Sequence, residues 1–299
     1  MSLQRSIQIN VNPINPAQYL ACCGVFEIVA RFDSAAVSRW ETGAATRFFI
    51  NTMLNETRLV DCLIETFTLW DEKHWKIEKI DGTDSVRRID VTFVLPDTAR
   101  CKLKLDWWYE TLDTDGNIGG RSAWKMYAGN QTAEKTVATM VAACREIASG
   151  QTLTAFSELL SSSKGMTGRF GFDPGSSRNA LDVGYSPNDL NLNVATYPFI
   201  ELLAMIGAQH FFPSRTRPGG GHESTRGFTR HSSDKRKIYF QHCLWRENLP
   251  TVLARAYACG SLADERSGQL LQSERASRDK YSNLSPSTLT HFEKGKAND

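Results

Sequence analysis

Asn10 to Arg31 constrains this chain more than any other stretch. Two Asn-Pro steps, Asn12-Pro13 and Asn15-Pro16, precede an apolar run with adjacent cysteines and a glycine at its middle. Ser6 to Val11 alternates polar and apolar residues, the pattern of a half-buried strand. A residue before proline is pushed out of the helical region, so Asn12 and Asn15 are expected to be extended or turning. Asn15 then serves as an N-cap, Pro16 suits the first helical position, and Gln18 stands where a capping box places its polar side chain. Tyr19, Leu20, Cys23, Phe26 and Ala30 fall on one helical stripe. Gly24 costs such a helix about 1 kcal/mol against Ala, which points to a close backbone contact at that position.

The remaining pattern is that of an α+β chain. Leu59, Cys62, Leu63 and Phe67 predict a second helix over 55–69. Three strand-like runs, 75–80, 86–95 and 100–107, are separated by Asp81-Gly82 and Pro96-Asp97 turns and predict an antiparallel meander. After a polar loop over 110–131, residues 132–148 carry Ala133, Val137, Met140, Val141, Cys144 and Ile147 on one helical face. A short helix over 152–160, a Ser-rich linker, a Gly/Asp/Asn-rich stretch over 166–193, an apolar helix over 197–211, a strand over 237–245 and a helix over 249–259 follow. This divides the chain into an N-terminal α+β domain (1–163), a second α+β region packed on it (164–263), and a polar C-terminal tail (264–299) read as a marginal helix with a frayed end.

Composition excludes some classes. Hydrophobic residues are 41% and charged residues 23% of 299, ordinary for a globular chain. No apolar run approaches the roughly 18 residues of a membrane span, and the first residues lead straight into a strand pattern with no signal-peptide core. Seven cysteines form no Cys-x-x-Cys pair and mostly sit in apolar patterns. They read as buried thiols of a reducing, cytoplasmic compartment.

Charge is informative in its distribution. The chain totals +2, yet Pro213 to Lys237 holds Arg215, Arg217, Arg226, Arg230, Lys235, Arg236 and Lys237 against only Glu223 and Asp234. With Gly219-Gly220-Gly221 at its centre and Phe228 as its one aromatic, this loop is either a phosphate-backbone contact or a solvated surface loop without a partner. A second candidate is the aromatic pair of segments Asp106-Trp107-Trp108-Tyr109 and Trp124 to Gln131. Their rings, beside Arg121 and Lys125, either stack on bases or plug the junction of sheet and helix.

Catalytic templates fail residue by residue. Asp113 to Asn117 begins like a calcium loop, but Ile118 stands where glycine belongs and Trp124 where the closing Glu belongs. There is no phosphate-binding Gly-x-x-x-x-Gly-Lys, no Gly-x-Ser-x-Gly and no His-Glu-x-x-His. Asp173, Asp182 and Asp189 lie in turn and cap contexts, leaving a carboxylate metal cluster as the alternative to a structural role. His222 and His231 in the basic loop offer a general base for metal-independent RNA cleavage. No cofactor is implied.

Asn15-Pro16-Ala17-Gln18 followed by Ala21-Cys22-Cys23-Gly24, then Leu105-Asp106-Trp107-Trp108, Trp124 to Gln131, and Arg169 to Pro174 running into Leu181 to Asn188 resemble, in the same order, a family of small proteins encoded in subtype I-U (I-G) CRISPR–Cas loci. The resemblance reaches from residue 10 to about residue 213. It implies a non-catalytic, reduced large-subunit-like component of a type I Cascade complex, contacting guide RNA and target DNA. Other effector subunits are its implied partners, and a helicase-nuclease is recruited in trans. A backbone subunit of modified RRM fold is a second placement, since a meander with packed helices is compatible with it. The basic residues at 215, 217, 226, 230, 235, 236 and 237 are then phosphate contacts, with Lys125 and Trp124 as stackers. A guide-RNA-processing endonuclease using His222 or His231, and a protein-only scaffold, remain as rivals.

Overall fold

A computed structural model describes residues 5–71, 73–79, 86–97, 99–105, 110–112, 118–121, 123–124, 126, 132–167, 169–175, 193–211, 226–230, 234, 237–278 and 281–292. Strand β1 (Arg5–Val11) leads into helix α1 (Pro16–Phe32) where the Asn-Pro steps place them. Asn15 is extended, and its side-chain oxygen accepts the Ala17 and Gln18 amides. Gln18 reaches past the cap, its Oε1 accepting the Asn12 amide at 2.8 Å, so the expected box closes on Asn12 and not on Asn15.

Strands β2 (Val37–Glu41) and β3 (Thr46–Thr52) follow, then α2 (Glu56–Thr68), capped by Asn55. The meander is β4 (Trp75–Lys79), β5 (Val86–Val94) and β6 (Arg100–Leu105), succeeded by the hairpin β7 (Glu110–Leu112) and β8 (Ile118–Arg121). Helix α3 (Ala133–Gly150) starts at a Thr132 cap, and all six of its predicted core residues are buried. Next come α4 (Phe156–Ser161), β9 (Lys164–Met166), β10 (Val194–Thr196), and α5 (Pro198–Gly207) with a 3-10 turn at Ala208–Phe211. The chain continues through β11 (Phe228–Arg230), β12 (Ile238–Trp245), β13 (Leu249–Pro250), α6 (Thr251–Ala258), β14 (Gly268–Arg278), β15 (Tyr281–Leu284) and β16 (Thr288–Thr290).

This is an α+β fold with antiparallel sheets. One sheet has the order β1-β3-β2-β13, the meander forms a second, and β11-β12-β14-β15, with β16 also on β14, forms a third. In the first sheet β3 is antiparallel to both β1 and β2, so β1-α1-β2 is a β-α-β unit split by β3, and α2 follows β3 as it does in a ferredoxin-like fold. The likeness ends there. Among the described residues no strand pairs with the outer edge of β1, and the fourth strand, β13, lies beside β2.

Helix α1 sits at the centre. Every residue from Pro16 to Val29 except Gln18 is buried, as is every residue of α5. A helix apolar all round is one enclosed by protein, so the single stripe read from sequence understates α1. The two helices meet backbone to backbone. A Cβ on Gly24 would overlap the Leu203 carbonyl oxygen, and one on Gly207 would overlap the Leu20 carbonyl oxygen and lie 2.7 Å from Gly24 N. The glycine that weakens α1 as an isolated helix is what lets it touch α5.

The boundary at 163 separates segments of sequence that share one core. β13 pairs with β2, Trp245 Nε1 donates to the Ser38 carbonyl at 2.9 Å, and the Tyr19 hydroxyl donates to the Cys243 carbonyl at 3.0 Å. The expected polar tail is corrected by β14, β15 and β16. β14 pairs with β12 on one side and with β15 and β16 on the other. Its polar residues are accommodated because the ladder satisfies their backbone and because Ser273, fully buried, donates to the Ser285 carbonyl. No described helix is long and apolar enough to cross a membrane.

Gly24→Ala or Gly207→Ala should destabilise the fold by more than about 3 kcal/mol in denaturant melts, since backbone cannot yield as side chains do. Gly150→Ala, at the open end of α3 with nothing within 4 Å of the new methyl, should be neutral or stabilising by up to about 1 kcal/mol.

Candidate nucleic-acid interface

The described part of the basic stretch is anchored at Gly227 and Phe228. Gly227 has φ +80°, and a Cβ there would lie 2.6 Å from the Phe211 ring. Its carbonyl accepts the Gln241 amide, and β11 pairs with β12 in the register Phe228↔Phe240 and Arg230↔Ile238. Phe228 points into the core while Arg226, Arg230 and Lys237 are exposed. The edge of the third sheet thus presents three of the predicted cations. Arg215, Arg217, Lys235, Arg236, Lys125, His222 and His231 lie outside the described residues, as do Trp107, Trp108, Asp182 and Asp189.

Trp124 is not a stacking platform. It is 1% exposed, and its ring lies edge-on to Phe228 at 4.7 Å, Phe240 at 4.9 Å, Phe211 at 5.8 Å and Phe172 at 5.9 Å. Of the two readings of the aromatic segment, this residue takes the core one, because four surrounding rings cover the surface a base would need. It also ties the basic stretch to the body of the protein through Phe228.

The segments Asn10 to Glu27, Trp124 and Met126, and Arg169 to Pro174 converge on the start of α1. Asn15 Nδ2 donates to Asp173 Oδ1 at 2.9 Å, and that oxygen also accepts the Gly175 amide. Glu201 on α5 accepts the Phe170 and Asp173 amides, one on each carboxyl oxygen, both at 3.0 Å. Gly171, at φ +92°, accepts from Leu284 N, and Met126 accepts from Ser282 N. Asp173 therefore braces the Asn15 cap and closes a turn onto Gly175. Among the described residues no three His, Cys, Asp or Glu side chains converge as metal ligands.

Burial sets the state of the other reactive groups. It raises the thiols of Cys22, Cys23 and Cys144 well above their ordinary range and pushes Cys62, Cys101 and Cys243 up to about 12, so all six stay protonated. Burial lowers His242 to about 3, a neutral ring stacked on Phe240 and 4.3 Å from Tyr19. Glu27 is charged in the interior. Burial pushes its carboxyl up, but His210 at 3.1 Å and a two-pronged contact from Arg255, 2.7 Å on each prong, outweigh that and hold it at about 2. Burial and the neighbouring Asp173 raise Glu201 to about 7 against the opposing amide hydrogen bonds.

A second polar surface escaped the sequence reading. On the outer face of the first sheet, Phe49 is flanked across the strands by Gln8 and Arg39, and Arg47 by Asn10 and Glu41. Arg39 lies over the Phe49 ring at 4.4 Å and Arg47 at 5.8 Å. Arg39 Nη1 and Asn51 Nδ2 both approach Asn248 Oδ1 at 3.4 Å. The signal was the alternation Arg47-x-Phe49-x-Asn51, hidden by the apolar run Phe48-Phe49-Ile50.

No family model, curated protein or solved structure matches this chain.

Trp124→Ala should cost about 3–5 kcal/mol in thermal or denaturant unfolding, the usual loss for a buried aromatic. For Glu201 the folded pKa lies above its unfolded value of 4.5, so its contribution to stability is full below pH 4.5 and lost as pH rises through 7. Stability should therefore fall by about 3 kcal/mol across that window from this group. Glu201→Gln should flatten the slope in urea titrations run from pH 4 to pH 8.

Proposed function

We propose that this chain is a non-catalytic subunit of a type I CRISPR RNA-guided DNA-surveillance complex, a reduced large-subunit-like component that holds guide RNA or target DNA by its backbone near the flanking motif. The observation that carries the reading is the exposed row Arg226, Arg230 and Lys237 beside a rigid Gly227-Phe228 anchor. A basic segment fixed at its base to a packed core holds its cations at less entropic cost than a free loop does, and phosphate contacts of this kind position a nucleic acid without reading its sequence. In such complexes base pairing with the guide reads sequence, and proteins hold backbone and a short flanking motif. The ordered resemblance of the segments beginning at Asn10, Leu105, Trp124 and Arg169 supports the assignment. So does burial of the Cys22, Cys23, Cys62, Cys101, Cys144 and Cys243 thiols, which holds them in the protonated, non-nucleophilic form. The reading places the protein in the cytoplasm with guide RNA, target DNA and other effector subunits as partners, and with the helicase-nuclease activity supplied in trans.

Fluorescence anisotropy against single-stranded RNA, single-stranded DNA and duplex DNA over a salt series tests it. Wild-type affinity should fall steeply with salt. A variant with Arg215, Arg217, Arg226 and Arg230 changed to Ala should lose about three units of the log–log slope, at roughly 0.7–0.9 per lost phosphate contact. An unchanged slope would remove the loop from the interface. Metal-independent cleavage of a repeat hairpin that stops in His222→Ala or His231→Ala would replace the reading with the endonuclease one.

A further inference from the structure

The outer face of the β1-β3-β2-β13 sheet is built around an aromatic residue that the core does not use. Side chains alternate across a sheet, so Ile7, Ile9, Phe48, Ile50 and Trp40 point inward and are buried. Phe49 points the other way and is only partly covered, in the middle strand of the face. Its covering groups are guanidiniums, Arg39 at 4.4 Å and Arg47 at 5.8 Å from the ring. Both remain part-exposed, at 31% and 39%. Glu41 is the one acid among them, 2.6 Å from Arg47 and 3.9 Å from Arg39. The rim is completed on β1 by the exposed amides of Gln8 and Asn10, directly across from Phe49 and Arg47.

We propose that this face is a base-stacking site for single-stranded nucleic acid, with Phe49 as the platform, Arg39 and Arg47 as backbone contacts, and Gln8 and Asn10 as donors and acceptors for a base edge. The inference rests on the nucleic-acid reading above and assigns it a second surface.

Three features argue for this ligand chemistry. An aromatic ring on an open antiparallel sheet, beside cations, is the arrangement single strands use, because every base has a π-face and every nucleotide a phosphate. Neighbouring strands are about 4.8 Å apart and alternate residues of one strand about 6.6 Å apart, so the ring, both guanidiniums and both amides fall within the span of one or two nucleotides. The arginines are also underused. Among the described residues the buried Arg47 Nε has no hydrogen-bond acceptor, and the two guanidiniums share a single carboxylate, whose place a phosphate can take. As a self-contained surface feature the cluster would be worth little, since exposed ion pairs contribute at most about 1 kcal/mol.

The experiment compares anisotropy of labelled twelve-nucleotide oligo-U RNA and oligo-dT DNA on five forms of the full chain. These are the wild type, Phe49→Leu, the double variant Arg39→Ala with Arg47→Ala, Glu41→Gln, and the four-arginine loop variant. Phe49→Leu keeps an apolar strand residue but removes the π-face. It should weaken binding roughly 5- to 100-fold with the salt slope unchanged, the size of one lost stack. The double arginine variant should lose affinity and about 1.4–1.8 units of slope. Glu41→Gln frees both guanidiniums and should tighten binding about 2- to 5-fold, a gain that misfolding cannot mimic. Tighter binding of RNA than DNA would add a 2′-hydroxyl contact, and equal binding would leave stacking and phosphate contact as the shared chemistry. If Phe49→Leu and Glu41→Gln bind as the wild type does while the loop variant fails, the sheet face is overturned and the loop reading stands. If the wild type binds neither strand, both fall together.

Discussion

Helix α1 can be central only because its backbone, at Gly24, lies directly against the backbone of α5 at Leu203 and Gly207. With no Cβ on either glycine, two helices that are buried on all sides come closer than ordinary side chains permit. The other elements are arranged around that crossing. The inner faces of the first sheet cover α1 on one side, and Tyr19 reaches the β12 backbone at Cys243. α5 then holds the loop at Phe170 and Asp173 through Glu201, the loop whose Asp173 in turn bonds the Asn15 cap. A methyl group at the crossing would move every one of these contacts.

A second organising contact is the aromatic cluster of Trp124, Phe172, Phe211, Phe228 and Phe240. It is where the basic stretch, the end of α5 and the third sheet meet. Edge-to-face rings lock relative orientation as well as burying area. The cations at Arg226, Arg230 and Lys237 therefore project from a fixed base, which is what the proposed backbone contact requires. The outer face around Phe49 is built differently: Phe49 and Arg47 lie on β3, whose position is set by the ladder on either side, and Arg39 on the neighbouring β2. The two surfaces are chemically alike and lie on different sheets, and so they can be separated by substitution.

Two of the buried carboxylates, Glu27 and Glu201, have opposite character. Glu27, met by the two-pronged Arg255 contact, stays ionised, while Glu201, bonded to two amides and facing Asp173, is pushed toward protonation despite the attraction of Arg169. The difference is the direct two-pronged contact of Arg255 on Glu27, whereas the attraction of Arg169 does not offset burial and the Asp173 charge at Glu201.

Local chemistry was legible in the chain itself. Asn15 as a cap, the faces of α2 and α3, the meander and the anomaly at Gly24 all depend on neighbours a few residues away, and hydrogen bonds or periodicity at that range do not require the rest of the fold. The candidate site was legible in part, as a charge excess with a single aromatic. What only the tertiary structure decided were matters of who arrives from a distance. Gly24 met Gly207, Trp124 was enclosed by four phenylalanines, and Phe49 was left on the outside while Phe48 turned in. The polar segment from Gly268 became a central strand because its partners supplied hydrogen bonds on both edges. Burial and ladder pairing are properties of the assembled surface, and no local pattern of polar and apolar residues specifies which surface will come to cover it.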